Sequence, residues 1–191
     1  MNGEWCYFKS YFNADYCNQI IRDLEVVEFQ RSAVGFGESA IEDTSVRRSR
    51  VKFINTSDWR FSYIFEELWK TAISANKDFF DFHISKLDFF QFTEYSASNL
   101  GEYKRHQDVF WMNDDPKYHR KLSCVIQLSD PLAYDGGDFE LFDVQSTPNK
   151  EDIRLQGTVI FFPSFIFHQV NPVTRGTRYS IVAWFEGPKW R

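Results

Sequence analysis

Apolar residues recur at a spacing of four in Tyr16, Ile20 and Leu24, the period that lines one face of an α-helix. The segment ADYCNQIIRDLE therefore predicts a first helix, with Asn13 placed to cap it and Asp15 near its positive end. A second helix is predicted within SDWRFSYIFEELWKTAISAN. There Phe61, Ile64, Phe65, Leu68 and Ala72 follow a three-four rhythm, and Ser57 or Asp58 can serve as cap. Both helices read as packing elements. From Leu87 onward the pattern changes to short apolar runs broken by turn residues: LDFFQFTEY, GEYKRHQD, KLSCVIQLS, GDFELFDV, GTVIFF, SFIFHQV and TRYSIVAWFE. These read as strands, with SDPLAYDGG and NPVTRG as turn or loop chemistry between them. Many short strands behind N-terminal helices predict an α+β, mainly β chain built as an antiparallel sandwich or jelly roll. The run TRYSIVAWF is apolar on both faces near its end, which predicts a central strand.

Between the helices, SVRRSRVKFIN predicts a further strand led by Arg47, Arg48, Arg50 and Lys52. Edge strands commonly carry charge, so one reading of this cluster is a solvated edge. The other is a contact for an acidic group on a substrate, with Arg47 as the candidate residue.

Length and composition narrow the picture. A chain of 191 residues, 43% hydrophobic, suits one domain with a full core. Residues 1–86 are expected as a helix-rich support and 87–191 as the jelly roll. Twenty-one Phe within 19% aromatics favour large side chains packed between sheets. A net charge of −5 and a pI near 5.4 leave no global basic field for a phosphate backbone, so nucleic acid is not an expected partner. Cys6, Cys17 and Cys124 offer neither a disulfide framework nor zinc spacing and are expected as buried thiols. MNGEWCYFKSYF lacks a basic segment followed by an apolar run, and no stretch is long enough to cross a bilayer. The expectation is a soluble cytoplasmic protein with no membrane partner.

The chemistry starts at His106-x-Asp108. On a strand, positions i and i+2 project from the same face, so the pair is a sensible two-ligand unit. Four histidines and fifteen aspartates predict about 0.3 such pairs by chance, so the motif alone is weak. His168 closes an aromatic strand far along the chain. Two imidazoles and one carboxylate of this kind match the three-ligand face of non-haem Fe(II) oxygenases, which leaves positions open for substrate and O2. A structural zinc site would want a fourth protein ligand. His83 and His119 lack a comparable setting and read as surface or packing residues. Arg178, ten residues past His168, shares a strand face with Ser180. A buried arginine needs an anionic partner, and the sequence names no obvious carboxylate for it. Either a structural Asp or Glu bridge or a dicarboxylate cosubstrate would meet that need.

The order His106-x-Asp108, His168, Arg178-x-Ser180 resembles the Fe(II)- and 2-oxoglutarate-dependent dioxygenases. HQVNPVTRGTRYSIVAWF and the double-glycine turn YDGGDFELF resemble the prolyl and lysyl hydroxylase branch, in the manner of prolyl 4-hydroxylases. The resemblance covers Leu87–Gly187 firmly and the N-terminal half loosely. It implies a cupin-like double-stranded β-helix with Fe(II) held by His106, Asp108 and His168. It implies 2-oxoglutarate chelated to that iron, its distal carboxylate on Arg178 with help from Ser180. Tyr95 and Gln127 fall where relatives place polar groups beside the cosubstrate. Tyr103 and Trp184 fall where some members carry aromatics near the substrate. Strict alternation would turn Tyr103 away from His106, so a bend in that strand is required. Many prolyl 4-hydroxylases use lysine where this chain has Arg178.

The activity implied is oxidative decarboxylation of 2-oxoglutarate by O2, giving succinate and CO2 and hydroxylating an unactivated C–H bond, with ascorbate as an optional reductant. The implied partner is a proline-containing peptide or protein. Lysine, a free amino acid or another small molecule is the nearest alternative. Nucleobase repair fits less well, because members doing it typically carry the cosubstrate arginine farther beyond the distal His, with a second arginine following in the same strand. A non-catalytic jelly-roll binding module is the remaining class. ASNLGEYK and VFWMNDDPKYHR flank the ligands and are candidate lids.

Overall fold

The computed structural model describes residues 3–32, 34, 41–109 and 118–190. In chain order the first strands are β1 (Cys6–Phe8), β2 (Gln30–Arg31), β3 (Arg47–Arg48), β4 (Arg50–Asn55), β5 (Phe89–Ser96) and β6 (Glu102–His106). They are followed by β7 (Tyr118–Gln127), β8 (Tyr134–Gly136), β9 (Phe139–Leu141), β10 (Val159–Pro163), β11 (His168–Val170) and β12 (Val173–Pro188). The helices are α1 (Ala14–Asp23), α2 (Ser62–Ala75) and α3 (Lys150–Arg154).

Among the described residues two antiparallel sheets form. The larger runs β1-β10-β7-β12-β5-β4-β2, with β8 added to the start of β12; the smaller runs β3-β6-β11-β9. Period-two alternation divides the larger sheet into two working faces. Along β12, Ile181, Ala183 and Phe185 are fully buried against the helical layer, where Ile20, Ile64, Phe65 and Leu68 also lie. The alternate residues Arg178, Ser180, Val182 and Trp184 turn to the opposite face, toward the smaller sheet. That inner layer is closed by Val125, Phe139, Ile160, Phe162 and Val170. The arrangement is an α+β jelly roll with α1 and α2 on one face of the larger sheet and α3, through Ile153, packed with Phe139 and Leu141 of β9.

Both predicted helices are present. Asn13 Oδ1 accepts from Tyr16 N at 2.8 Å, which caps α1. Asp58 caps a 3-10 turn at Trp59–Phe61 that leads into α2, and all five residues of the predicted apolar face are buried. β12 lies between β7 and β5, in the interior of the sheet as expected.

Three expectations need correction. NPVTRG and the end of SDPLAYDGG read as turns, yet Val173–Gly176 and Tyr134–Gly136 pair as strands with a register shift. Glycine lets this happen: Gly136 has φ +69°, and a Cβ there would lie 2.1 Å from Pro172 O. The basic run is not simply a solvated edge. Arg47 and Arg48 form β3, the end strand of the smaller sheet, while β4 is paired along its length by β5 and at Arg50 and Val51 by β2. The charges have partners within the chain: Arg48 pairs with Glu102 (2.8 Å), Arg50 with Glu94 (2.7 Å), and Lys52 Nζ donates to Leu24 O (2.7 Å). Finally, the first 86 residues contribute four strands as well as two helices, and β1 extends the larger sheet by pairing with β10. A three-residue strand is too short to show a period.

No helix among the described residues is long and apolar enough to cross a membrane. The three cysteines are unpaired and buried. Burial pushes the Cys6 thiol up to about 12 and that of Cys17 to about 11, and raises Cys124 well above its ordinary value. At pH 8 a thiol of pKa about 11 is ionised in only about one molecule in 10³, and only the thiolate is alkylated. Iodoacetamide at pH 8 should therefore leave all three native thiols unmodified on a timescale that alkylates the urea-unfolded chain completely. Mass spectrometry checks this, and one rapidly modified cysteine would contradict the burial.

Candidate active site

His106 is the last residue of β6, and its Cα partner across the smaller sheet is His168, the first residue of β11. Asp108 lies just beyond the end of β6, so the pair does not share one strand face as the sequence suggested. The main chain leaves the sheet at Gln107 and is pinned where Asp108 N donates to Ser164 O at 2.9 Å. The carboxylate then points back: Asp108 Oδ2 accepts from Ser123 Oγ at 2.6 Å, and Ser123 Oγ lies 3.0 Å from Ser164 Oγ. Ser123 belongs to β7, so the three residues bridge the two sheets.

His106 Nε2 is 3.8 Å from Asp108 Oδ1, and His168 Nε2 is 3.5 Å from Asp108 Oδ2. All three donors lie within 4.8 Å of one another. The histidine–carboxylate distances are too long for hydrogen bonds. They suit donors that share one cation, since bonds of about 2.1 Å let two ligand atoms stand up to about 4.2 Å apart. The tautomers also fit. His106 Nδ1 donates to Lys104 O (2.7 Å) and His168 Nδ1 to Ile166 O (3.0 Å); a carbonyl can only accept, so each Nε2 turns a lone pair inward. Burial, with His168 alongside, pushes the His106 imidazole down to about 3 and keeps it neutral. Burial opposes ionisation of Asp108, but His168, His106 and Arg120 together hold its carboxyl below the usual range. The result is two imidazole donors and one carboxylate, the set that suits iron.

The triad opens into a cavity of about 320 Å³. At its far side lies Arg178, 0% exposed, with its guanidinium 5.4 Å from the centre of the Tyr95 ring. Nε, Nη1 and Nη2 are all buried and have no hydrogen-bond partner among the described residues. A structural Asp or Glu bridge is thus not formed there. Gly137 keeps the approach open, since a Cβ on it would press Arg178 Cδ at 3.1 Å. A buried guanidinium without an acceptor is costly and fits a bidentate anion.

The other predicted residues distribute as follows. Tyr95 and Ser180 line the same cavity, and Arg178 is the Cα partner of Tyr95 on β5. Trp184 lines it with its ring 4.0 Å from the Arg120 guanidinium. Tyr103 reaches the cavity through the required bend: His106 pairs with His168 and Tyr103 with Val170, so β6 places four residues against three of β11. Its ring stacks on His106 at 3.5 Å, and Arg47 lies over its other neighbourhood at 4.4 Å. Arg47 is buried, lines the cavity, and donates through Nε to Ser49 Oγ. Gln127 does not line the main cavity; it faces a small adjoining recess beside Tyr134 and Gly137, with Oε1 unpartnered among the described residues. His83 is exposed and His119 lies on β7 against Gly187, both away from the triad. The candidate lid VFWMNDDPKYHR falls largely on residues 110–117, outside the described residues.

Sequence reasoning missed Ser123, Arg120 and Gln91. The available signal was polarity inside apolar strands: Ser123 interrupts KLSCVIQLS and Gln91 interrupts FFQFT. Ser123→Ala removes the hydroxyl that orients Asp108. Loss of such an outer partner typically costs 10–100-fold in metal affinity, and Fe(II) titration under anaerobic conditions should read about that loss with secondary structure unchanged. Unaltered affinity would show that Ser123 only fills space.

The comparisons with known proteins agree with this geometry. A family model described as the 2OG-Fe(II) oxygenase superfamily matches residues 90–186, just over half of the chain. A PKHD-type hydroxylase of Aliarcobacter butzleri is 30% identical over 124 residues, 63% of this chain and 53% of the relative. A PKHD-type hydroxylase of Pseudomonas putida is 41% identical over 64 residues, 33% of this chain and 27% of the relative. The chain thus spans about half, or less, of the curated relatives it matches. Among solved structures, a Pseudomonas putida prolyl-4-hydroxylase superposes with TM-score 0.69 at 20% identity, covering 98% of this chain and 94% of the other. A Trichoplax adhaerens prolyl hydroxylase, solved with a peptide fragment of the hypoxia inducible factor oxygen degradation domain, gives TM-score 0.73 at 14% identity, covering 96% and 83%. At such identities these matches speak for the fold, a double-stranded β-helix. Together with the family model, they show that the chain belongs to the 2OG-Fe(II) oxygenase superfamily.

Proposed function

We propose that the protein is an Fe(II)- and 2-oxoglutarate-dependent hydroxylase acting on a peptidyl residue, proline foremost. The observation that carries this is the buried guanidinium of Arg178, without a hydrogen-bond partner among the described residues, in the same cavity as the His106–Asp108–His168 triad. His106, Asp108 and His168 would hold Fe(II). Arg178 would bind the distal carboxylate of 2-oxoglutarate, with Ser180 and Tyr95 beside it. Gln127, in the adjoining recess, would act on the cosubstrate pocket from behind. Bound Fe(II) and 2-oxoglutarate would activate O2, the oxidant: one oxygen atom would enter succinate as 2-oxoglutarate loses CO2, and the other would enter the target C–H bond.

The chain's own residues do the rest. Ser123 holds Asp108 ionised and aimed inward. The two Nδ1–H groups fix the imidazole rings. Tyr103, Trp184 and Arg47 form the substrate side of the cavity and would orient the target C–H bond. Apolar Val125, Val182 and Phe139 line the cavity as well and exclude water from the reacting centre. A peptidyl proline target is supported by the two prolyl hydroxylases that share the fold, one of them solved with a peptide. Ascorbate as reductant and a cytoplasmic setting, in keeping with three unpaired buried cysteines, complete the reading.

The test is anaerobic loading with Fe(II), followed by O2, 2-oxoglutarate and a peptide library, with succinate and a mass gain of one oxygen as readouts. Oxygen on proline-containing peptides is the expected result. Oxygen on lysine or on free amino acids only would redirect the substrate, and absence of both succinate and Fe(II) binding would remove the enzyme reading.

A further inference from the structure

A second depression lies next to the active-site cavity. It is an open groove of about 580 Å³ lined by Val26, Val27, Phe53, Asn55 and Trp59, among others. Trp59 is 81% exposed, Val26 69% and Phe53 41%. Single exposed apolar residues need no explanation, but three large ones sharing one groove mark an interaction surface. Phe53 also lines the active-site cavity, so the two spaces adjoin across it. Its ring lies 5.6 Å from Phe89, which lies 5.7 Å from Trp184, giving an aromatic path between them.

The backbone adds an independent observation. Thr56 N donates to Asp88 O, so residues 54, 52 and 50 direct their peptide groups to β5, and 51, 53 and 55 direct theirs to the other side. On that side β2 pairs only at Gln30↔Val51 and Arg31↔Arg50. The ladder stops there, and Val26–Glu28 diverge to form the opposite wall of the groove. Among the described residues the outward N–H and C=O of Phe53 therefore lie beyond the end of the ladder, beside a groove that mixes Val26, Val27 and Trp59 with Glu28, Asp58 and Arg60. A strand edge beside side-chain pockets is the arrangement that binds extended peptides by strand addition.

We propose that this groove is a docking subsite for a polypeptide substrate, which adds along β4 at Phe53 and seats a large aliphatic or aromatic side chain against Trp59 and Val26. The inference rests on the peptide-hydroxylase reading for what the active-site end of the same peptide does. A peptide paired along β4 keeps a fixed register, so the docked side chain and the hydroxylated residue should hold one fixed separation along the peptide.

The probes are fluorescein-labelled eleven-residue peptides with a central proline and one leucine walked through every other position in a glycine-serine background. Binding to the full chain is read by anisotropy. Affinity should peak with leucine at one separation from proline. It should fall about tenfold or more in Trp59→Ser, a loss typical of a buried tryptophan anchor, and also on N-methylation of the peptide backbone at the docked residue. Peptide-independent turnover of 2-oxoglutarate should be the same in Trp59→Ser as in the parent. Val26→Ser gives a second variant should Trp59→Ser fail to fold by circular dichroism. A flat leucine profile, or equal affinity in both variants, overturns the proposal. So does a dimer that Trp59→Ser converts to monomer, which would assign the groove to a second copy of the chain. Position-dependent binding without oxygen gain would keep the groove and defeat the hydroxylase reading; oxygen gain with a flat profile would do the reverse.

Discussion

Asp108→Ala should abolish Fe(II) binding and, with it, succinate formation, while the chain still folds. The asymmetry follows from what the carboxylate contacts. It is the one anionic donor of the triad, lying 3.8 and 3.5 Å from two inward-facing Nε2 atoms. Without it, two imidazoles remain, and the charge that offsets a divalent cation is gone. The loss should exceed the 10–100-fold that removal of an outer partner costs, so it should be larger than that of Ser123→Ala. The fold has less at stake. His106 and His168 keep their Nδ1 bonds to Lys104 and Ile166. Ser123 keeps Ser164 as a partner at 3.0 Å. Removing a buried carboxylate also relieves its desolvation. A net change within about 2 kcal/mol is expected, or up to about 8 °C in melting temperature for a chain of this size. Anaerobic Fe(II) titration and a melting curve on the same sample check both halves. Parent-like iron affinity would remove Asp108 from the metal set. Failure to fold without metal would mean that the carboxylate is chiefly structural.

How much of this could be read from sequence depends on whether a signal was local. The helices were legible because their apolar faces repeat within one element, as in Phe61, Ile64, Phe65, Leu68 and Ala72. The donor residues were legible because His106, Asp108 and His168 are chemically rare in such surroundings. Arg178 stood out because no carboxylate nearby in sequence could pair with it, and among the described residues its guanidinium has no hydrogen-bond partner. Geometry beyond one element was harder. The two-residue alternation placed Asp108 on a strand face, whereas its position depends on Ser164 and Ser123 from two other segments. Alternation also turned Tyr103 away from His106; the sequence required a bend, and β6 supplies it as one extra residue opposite β11. The basic run could not reveal its partners, because Glu94 and Glu102 lie more than forty residues on. YDGG and NPVTRG were read correctly as sharp bends and wrongly as the end of pairing, since positive-φ glycines let two short strands meet there.

The second large effect concerns Arg178, and its two parts have opposite signs. Arg178→Met should raise the 2-oxoglutarate requirement steeply while sparing iron binding and, unusually for a buried substitution, should not destabilise the ligand-free protein. Methionine approximates the aliphatic stem of arginine and carries no charge. In the ligand-free parent the guanidinium is fully buried with all three nitrogens unpartnered among the described residues, and an uncompensated buried ion costs several kcal/mol. The variant removes that cost, so its ligand-free melting temperature should match or exceed that of the parent. In the complex the order reverses. A charge-assisted pair that is truncated on one side costs about 2–5 kcal/mol, or about 30- to several-thousand-fold in affinity. At a 2-oxoglutarate concentration 100 times its dissociation constant, the parent gains about 2.7 kcal/mol of stability, equivalent to roughly 5–10 °C here. With Mn(II) in place of iron, thermal shift should show that gain in the parent and almost none in Arg178→Met. A structural arginine would behave otherwise: the variant would melt well below the parent without ligand, and both would respond to 2-oxoglutarate alike. The ligand-free comparison thus separates a guanidinium retained for an anion from one retained for the fold, before any turnover is measured.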